Sequence, residues 1–196
     1  MPQAEFFASF GFFVEREFLD HALCDELRRK IEAAPASPAK VLKEAGDTVD
    51  EEYRRTVTAQ VSDTTKSLVQ SRFEQLTPEL ERHFRIALRE CQAPTLLRYR
   101  EGDFFDAHSD NGREPVAARR ISAVAFLNDE RDDPGPNTYS GGSLAFFGLI
   151  GGERGEKVGF PLVGEKGLLV AFPSGRVHSV TPVTRGERYT AVTWYF

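Results

Sequence analysis

The spacing of hydrophobic and polar positions changes near residue 94. Before that point apolar residues recur at helical intervals: Leu23, Leu27 and Ile31 follow Asp20, a residue suited to an N-cap, and predict an amphipathic helix ending near Ala34. Upstream of it, Phe10 to Phe18 is aromatic and β-branched enough for an early strand. Pro35 to Glu52 mixes proline, glycine and acids without a sustained period and reads as a loop. Arg54 to Val61 carries strand-forming Val and Thr. Ser62 to Leu76 and Thr77 to Leu88 then read as two helices, the second opened by Thr77 as cap with Pro78 in its first turn.

From Pro94 the chain turns to short β-branched and aromatic runs broken by Gly, Asp, Asn and Pro: TLLRY, ISAVAFL, GSLAFFGL, GLLVAF, VHSVTPV and RYTAVTWYF. Strands this close together, with no helices between them, have no room for parallel crossovers and must pair largely antiparallel, which predicts a sandwich or jelly roll. The expected fold class is mainly β with N-terminal helices. The chain has 196 residues, of which 40% are hydrophobic, which suits one domain with a full core. Residues 1–93 are expected to form a largely helical support and residues 94–196 the β core.

Composition narrows the partners. A net charge of -5 argues against a broad surface for phosphate backbones, so no nucleic-acid partner is expected. Cys24 and Cys91 lie far apart, outside any CxxC or disulfide framework, and predict a reducing, cytoplasmic setting. The amino terminus has no basic segment followed by an apolar one, and no stretch approaches membrane-spanning length, so neither secretion nor a membrane partner is expected. The oligomeric state is not legible.

Candidate chemistry lies in the β-rich half. Of four histidines, His21 and His83 fall on predicted helices, whereas His108 opens an HSD triplet and His178 sits in VHSV. Residues two apart in an extended chain point to one side, so His108 and Asp110 can face one point. His178 can add a third ligand from across a barrel, giving two histidines and one carboxylate on one face of an octahedral iron. An HxD triplet alone carries little weight, but Arg188 adds to it. It lies ten residues beyond His178 on the last strand, where a buried guanidinium is costly unless a carboxylate meets it. Thr190 shares its strand face, and Tyr99, nine residues before His108, offers a phenol. Arg188 and His178 are one hairpin-sized interval apart and are expected on adjacent strands.

The runs RYREGDFFDAHSD, AVAFLND, SGGSLAFF and FPSGRVHSVTPVTRGERYTAVTWYF, in that order, resemble the prolyl 4-hydroxylase-like branch of iron(II)/2-oxoglutarate-dependent dioxygenases, which includes the oxygen-sensing prolyl hydroxylases and the bacterial PKHD-type hydroxylases. The resemblance covers Leu96 to Phe196 well and the front half in outline. It implies a double-stranded β-helix (jelly roll, cupin-like), with His108, Asp110 and His178 as iron ligands. It also implies Arg188 as the clamp on the far carboxylate of 2-oxoglutarate, with Tyr99 and Thr190 beside it. Fe(2+), 2-oxoglutarate and dioxygen are the implied cofactor and co-substrates, with ascorbate as an optional accessory. Hydroxylation of an unactivated C–H bond follows, on a prolyl residue of a protein or peptide. The alternatives are a free amino acid or small-molecule substrate, or a non-enzymatic cupin-like metal- or ligand-binding protein. In related halogenases a small residue replaces the carboxylate, so Asp110 argues against halogenation. The sequence departs from some prolyl hydroxylases at Phe126, where a tyrosine would add a hydroxyl donor.

The loops Pro35 to Glu52 and Asn128 to Ser140 are expected to flank the metal and shape access to it. The four acids of the second loop miss the calcium-loop spacing and read as a solvated connection. Gly141 and Gly142 read as a turn or bulge, and core packing accounts for Trp194 at least as well as substrate contact does.

Overall fold

The computed structural model describes residues 3–43, 46–112, 114–152 and 155–196. In chain order these form α1 (Gln3–Ser9), β1 (Phe13–Glu15), α2 (His21–Ala33), β2 (Ala36–Pro38), β3 (Val41–Lys43), β4 (Gly46–Thr48), β5 (Arg54–Arg55), β6 (Val57–Ala59) and α3 (Asp63–Phe84). The second half adds β7 (Thr95–Tyr99), β8 (Phe104–His108), β9 (Ile121–Phe126), β10 (Tyr139–Gly141), β11 (Leu144–Phe146), β12 (Phe160–Leu162), β13 (Leu169–Pro173), β14 (His178–Val180), β15 (Val183–Gly186) and β16 (Arg188–Tyr195).

These strands build two facing sheets. The larger runs β1-β13-β9-β16-β7-β6-β2 and the smaller β12-β11-β14-β8-β5, with β10-β15 and β3-β4 as separate pairs. Every pairing between these strands is antiparallel, as their close spacing requires. Alternation along β16 sorts its two faces. Tyr189, Ala191 and Tyr195 join α2 and α3 in one core, while Arg188, Thr190, Val192 and Trp194 line a cavity between the sheets. A second core, rich in phenylalanine, fills the rest of that space with Phe7, Phe12, Phe126, Phe146 and Phe172.

α2 follows its sequence signals: Asp20 caps it by accepting the Leu23 N–H at 2.8 Å, and Cys24, Leu27 and Ile31 are buried. The two helices expected over 62–88 are one, capped by Ser62 and continuous through Pro78 to Phe84. Pro78 removes one backbone hydrogen bond, a cost of about 3 kcal/mol in a helix interior. Val69, Phe73, Leu76 and Leu80 form a single buried stripe across it, and their packing against the large sheet outweighs that cost. Phe73→Ala is expected to destabilise the protein by about 3–5 kcal/mol in denaturant unfolding, because it opens a cavity in the centre of that stripe.

The segment read as the loop 35–52 contains three strands. β2 extends the large sheet through β6, and β3 and β4 pair as a hairpin with Val41 opposite Thr48. Strands of three residues offer too few positions to show alternation. The front half therefore supplies strands to both sheets as well as helices. Among the described residues, no helix is long and apolar enough to cross a membrane.

Candidate metal centre and anion pocket

β8 and β14 are neighbours in the small sheet, with His108 directly opposite His178. Their ring centroids are 4.3 Å apart. Asp110, two residues beyond His108, turns its carboxylate to both rings, with Oδ1 3.6 Å from His108 Nε2 and Oδ2 3.6 Å from His178 Nε2. One ligand atom from each side chain can be chosen so that all lie within 4.8 Å of one another.

The surroundings fix which atoms face inward. His108 Nδ1 lies 2.8 Å from the Asp106 carbonyl and His178 Nδ1 2.9 Å from the Arg176 carbonyl. Each Nδ1–H is thereby committed to donating, and each Nε2 lone pair is left towards the shared point. Ser122 donates its hydroxyl to Asp110 Oδ2 at 2.6 Å and stands 3.0 Å from Ser174 Oγ, while the Asp110 N–H donates to the Ser174 carbonyl. The Phe105 ring stacks on His108 at 3.6 Å, and Phe172 meets His178 edge-on.

Electrostatics act on His178 and Asp110 in the same sense. Burial pushes the His178 imidazole down to about 4, with His108 adding to the effect and Asp110 opposing it. Burial also raises the Asp110 carboxyl, but the two histidines and the Ser122 hydroxyl outweigh it and hold the group well below the usual carboxylate range. At neutral pH His178 is a neutral imidazole and Asp110 a carboxylate, a donor set that suits a non-haem divalent iron.

The cavity of about 780 Å³ runs from these three residues to Arg188. Arg188 is 1% exposed, its guanidinium 4.9 Å from the Tyr99 ring centroid and 5.2 Å from that of Phe126. Its Nη1 lies 3.5 Å from Thr190 Oγ1, and its Nε has no partner. Among the described residues no carboxylate forms an ion pair with it. A buried guanidinium without a carboxylate partner is costly, and this one borders the cavity.

Two expectations change. Arg188 and His178 are on facing sheets, β16 and β14, rather than on adjacent strands, so the arginine and the His-Asp-His cluster border the same cavity from opposite sides of the sandwich. The loop 128–140 lies at the wrong end. β9 carries Ser122 beside Asp110 but ends at Phe126, about 13 Å further along, and the chain leaves there. Asn128 is tied to Glu187 and Tyr189, β10 pairs with β15, and none of residues 128–140 lines the cavity. The segment from Ser37 to Leu42 does line it, as expected for the first loop. Trp194 is not core: its ring faces the cavity, where Arg119 stacks on it at 3.7 Å and donates to Gln92 Oε1. The period-two alternation that pairs Arg188 with Thr190 carries on to Trp194 and would have placed it there. Arg119, Gln92 and Ser122 gave no such signal.

Gly141 and Gly142 form the expected bulge, both with positive φ. A Cβ on Gly142 would meet Val183 Cγ2 at 2.9 Å and Arg188 Cδ at 3.1 Å, so its bare backbone makes room for both side chains.

Two facing sheets enclosing a two-histidine, one-carboxylate centre and a buried arginine define a jelly-roll protein of the non-haem iron type. The chain belongs to the 2OG-Fe(II) oxygenase superfamily, whose family model matches residues 94–196. Iron(II) and 2-oxoglutarate are the cofactor and co-substrate which that family implies. A PKHD-type hydroxylase of Shewanella sp. (strain ANA-3) is 35% identical over 105 residues, covering 52% of this chain and 41% of the relative. One of Rhizorhabdus wittichii is 34% identical over 107 residues, with 52% and 41% coverage. The chain thus matches about two fifths of the length of these curated relatives. Among solved structures, a Pseudomonas putida prolyl-4-hydroxylase superposes with a TM-score of 0.72 at 24% identity, over 100% of this chain and 98% of that one. A Trichoplax adhaerens prolyl hydroxylase, in complex with a peptide fragment of hypoxia inducible factor, gives 0.71 at 16% identity, covering 98% and 86%. These likenesses establish the jelly-roll fold.

Proposed function

We propose that the protein is an iron(II)- and 2-oxoglutarate-dependent hydroxylase acting on a prolyl residue of a protein or peptide. The observation that carries this reading is the buried, carboxylate-free Arg188 facing the His108, Asp110 and His178 centre across one cavity. A metal-binding protein without turnover would need the three ligands but would leave that guanidinium unexplained. The peptide substrate is supported by the prolyl hydroxylases among its structural neighbours, one of them holding a peptide.

In this reading His108 Nε2, His178 Nε2 and one Asp110 oxygen hold the metal, and the Nδ1 bonds to backbone carbonyls stop the rings from turning away. Arg188 fixes the far end of the co-substrate, with Tyr99 and Thr190 lining the same wall. When bound there, iron with oxoglutarate and dioxygen would supply the oxidising chemistry for hydroxylating a C–H bond, with oxoglutarate converted to succinate and carbon dioxide. Phe105 and Trp194 line the cavity, and Phe172 packs behind His178 from the core, so the walls near the three ligands are largely aromatic and would limit water. No side chain is needed as an acid or base.

Incubating iron-loaded protein with oxoglutarate and oxygen, with and without prolyl peptides, should give iron-dependent succinate that rises with a peptide gaining one oxygen atom. A free amino acid or other small molecule raising succinate in place of every peptide would move the substrate class. No succinate under any condition would remove the activity. Ser122→Ala is expected to weaken iron binding about 10–100-fold by freeing the Asp110 carboxylate, measured by anaerobic metal titration.

A further inference from the structure

Behind the arginine lies a second buried group that the chemistry above leaves unused. Tyr139 is 0% exposed on β10, does not line the cavity, and its hydroxyl has no hydrogen-bond partner. Arg188 Nε is buried and unpartnered as well. The two side chains are neighbours: a Cβ on Gly142 would touch both Arg188 Cδ and Tyr139 Cε2. A Cβ on Gly164 would collide with the Tyr139 hydroxyl and the Phe126 ring, so that glycine holds open the place where the phenol ends. Phe126 is also one of the rings against the guanidinium.

The phenol sits between opposite charges. Burial raises its pKa, the Arg188 charge opposes that rise and Glu130 adds to it. Glu130 is itself anchored, accepting from Ser143 Oγ at 2.5 Å and from the Gly164 N–H at 3.2 Å. An N–H without an acceptor and a phenol oxygen without a donor, buried in neighbouring side chains, are complementary.

Resting on the proposed function, we infer that Tyr139 is a positioning residue for the co-substrate clamp: Arg188 Nε–H donates to the Tyr139 hydroxyl oxygen, the hydroxyl turns its proton towards Glu130, and both Nη groups are held facing the cavity for a distal carboxylate. The arrangement selects oxo acids that carry a second carboxylate over those that do not. It also supplies from behind the arginine a hydroxyl that Phe126 does not provide beside it.

The test is an anaerobic titration of iron-loaded protein with 2-oxoglutarate and with 2-oxobutyrate, which lacks the distal carboxylate, followed by the visible charge-transfer band. In Tyr139→Phe, oxoglutarate affinity is expected to fall about tenfold, equivalent to about 1.4 kcal/mol, with oxobutyrate affinity, iron affinity and melting temperature unchanged. Glu130→Gln should shift the same ratio in the same direction by a smaller factor. An unchanged oxoglutarate-to-oxobutyrate ratio in Tyr139→Phe overturns the inference. So does an equal loss for both acids, which would mark Tyr139 as general packing. If the wild type itself shows no preference for oxoglutarate, the reading of Arg188 as the clamp fails, and this inference with it.

Discussion

His178→Ala is expected to abolish tight iron binding, lowering affinity by more than about a hundredfold, beyond what loss of an outer-shell hydrogen bond costs. The residue is 5% exposed and contributes one of three donor atoms that lie within 4.8 Å of one another. Its lone pair is available without displacing a proton, because burial keeps the imidazole neutral at pH 7. Removing it leaves His108 and Asp110, a pair that no longer spans one face of an octahedron. Water can enter the gap but restores neither the fixed direction nor the second imidazole. The fold is expected to survive, since the β14 pairings with β8 and β11 are backbone bonds and the side chain faces the cavity. Anaerobic titration with iron(II), beside circular dichroism of both proteins, separates the two effects. A His178→Ala protein that keeps its iron affinity would place the metal elsewhere.

The central geometry was legible because it rests on one rule, that residues two apart on a strand share a face. The rule brings His108 to Asp110, and Arg188 to Thr190, without knowledge of the fold. Followed two steps further, through Val192, it brings Trp194 to the same cavity, where core packing and a cavity-facing role had been equally open. What stayed hidden depends on three-dimensional closure. That Arg188 faces His178 across the sandwich follows from sheet order, which hairpin-length spacing does not determine. The end from which 128–140 emerges depends on the direction of β9. The hairpin of β3 and β4 is too short for a hydrophobic period. Pro78 within α3 shows packing overriding a local stop signal, since Leu76 and Leu80 on either side of it continue one buried stripe. Ser122 lay unnoticed because a serine amid ISAVAF reads as an ordinary strand residue, and only the fold turns its hydroxyl onto Asp110.

Arg188→Ala is expected to raise the oxoglutarate requirement by roughly a hundredfold or more while leaving iron affinity largely intact. A charge-assisted hydrogen bond contributes about 1.5–3 kcal/mol, so losing a two-pronged contact removes about 3 kcal/mol or more, and each 1.4 kcal/mol is a factor of ten. Arg188 touches none of the three metal ligands: it packs against Tyr99, Phe126 and Thr190 on the opposite sheet. Arg188→Lys keeps the charge but not the planar fork, and should recover only part of the loss. Among the described residues the other candidate arginines are engaged elsewhere: Arg54, which also lines the cavity, packs on the Phe105 ring and donates to the Lys40 carbonyl. Arg185, one hairpin position away, pairs with Asp133 at 3.3 Å through a side chain that is 66% exposed, outside the cavity. Arg119 lines the cavity but is held at its other end, stacked on Trp194 and close to the Asp110 carbonyl. The measurement is an anaerobic oxoglutarate titration of iron-loaded wild type, Arg188→Ala and Arg188→Lys. Equal affinity in all three would mean that the co-substrate does not reach the floor of the cavity, and that the buried guanidinium serves the packing of Tyr99 and Phe126 alone.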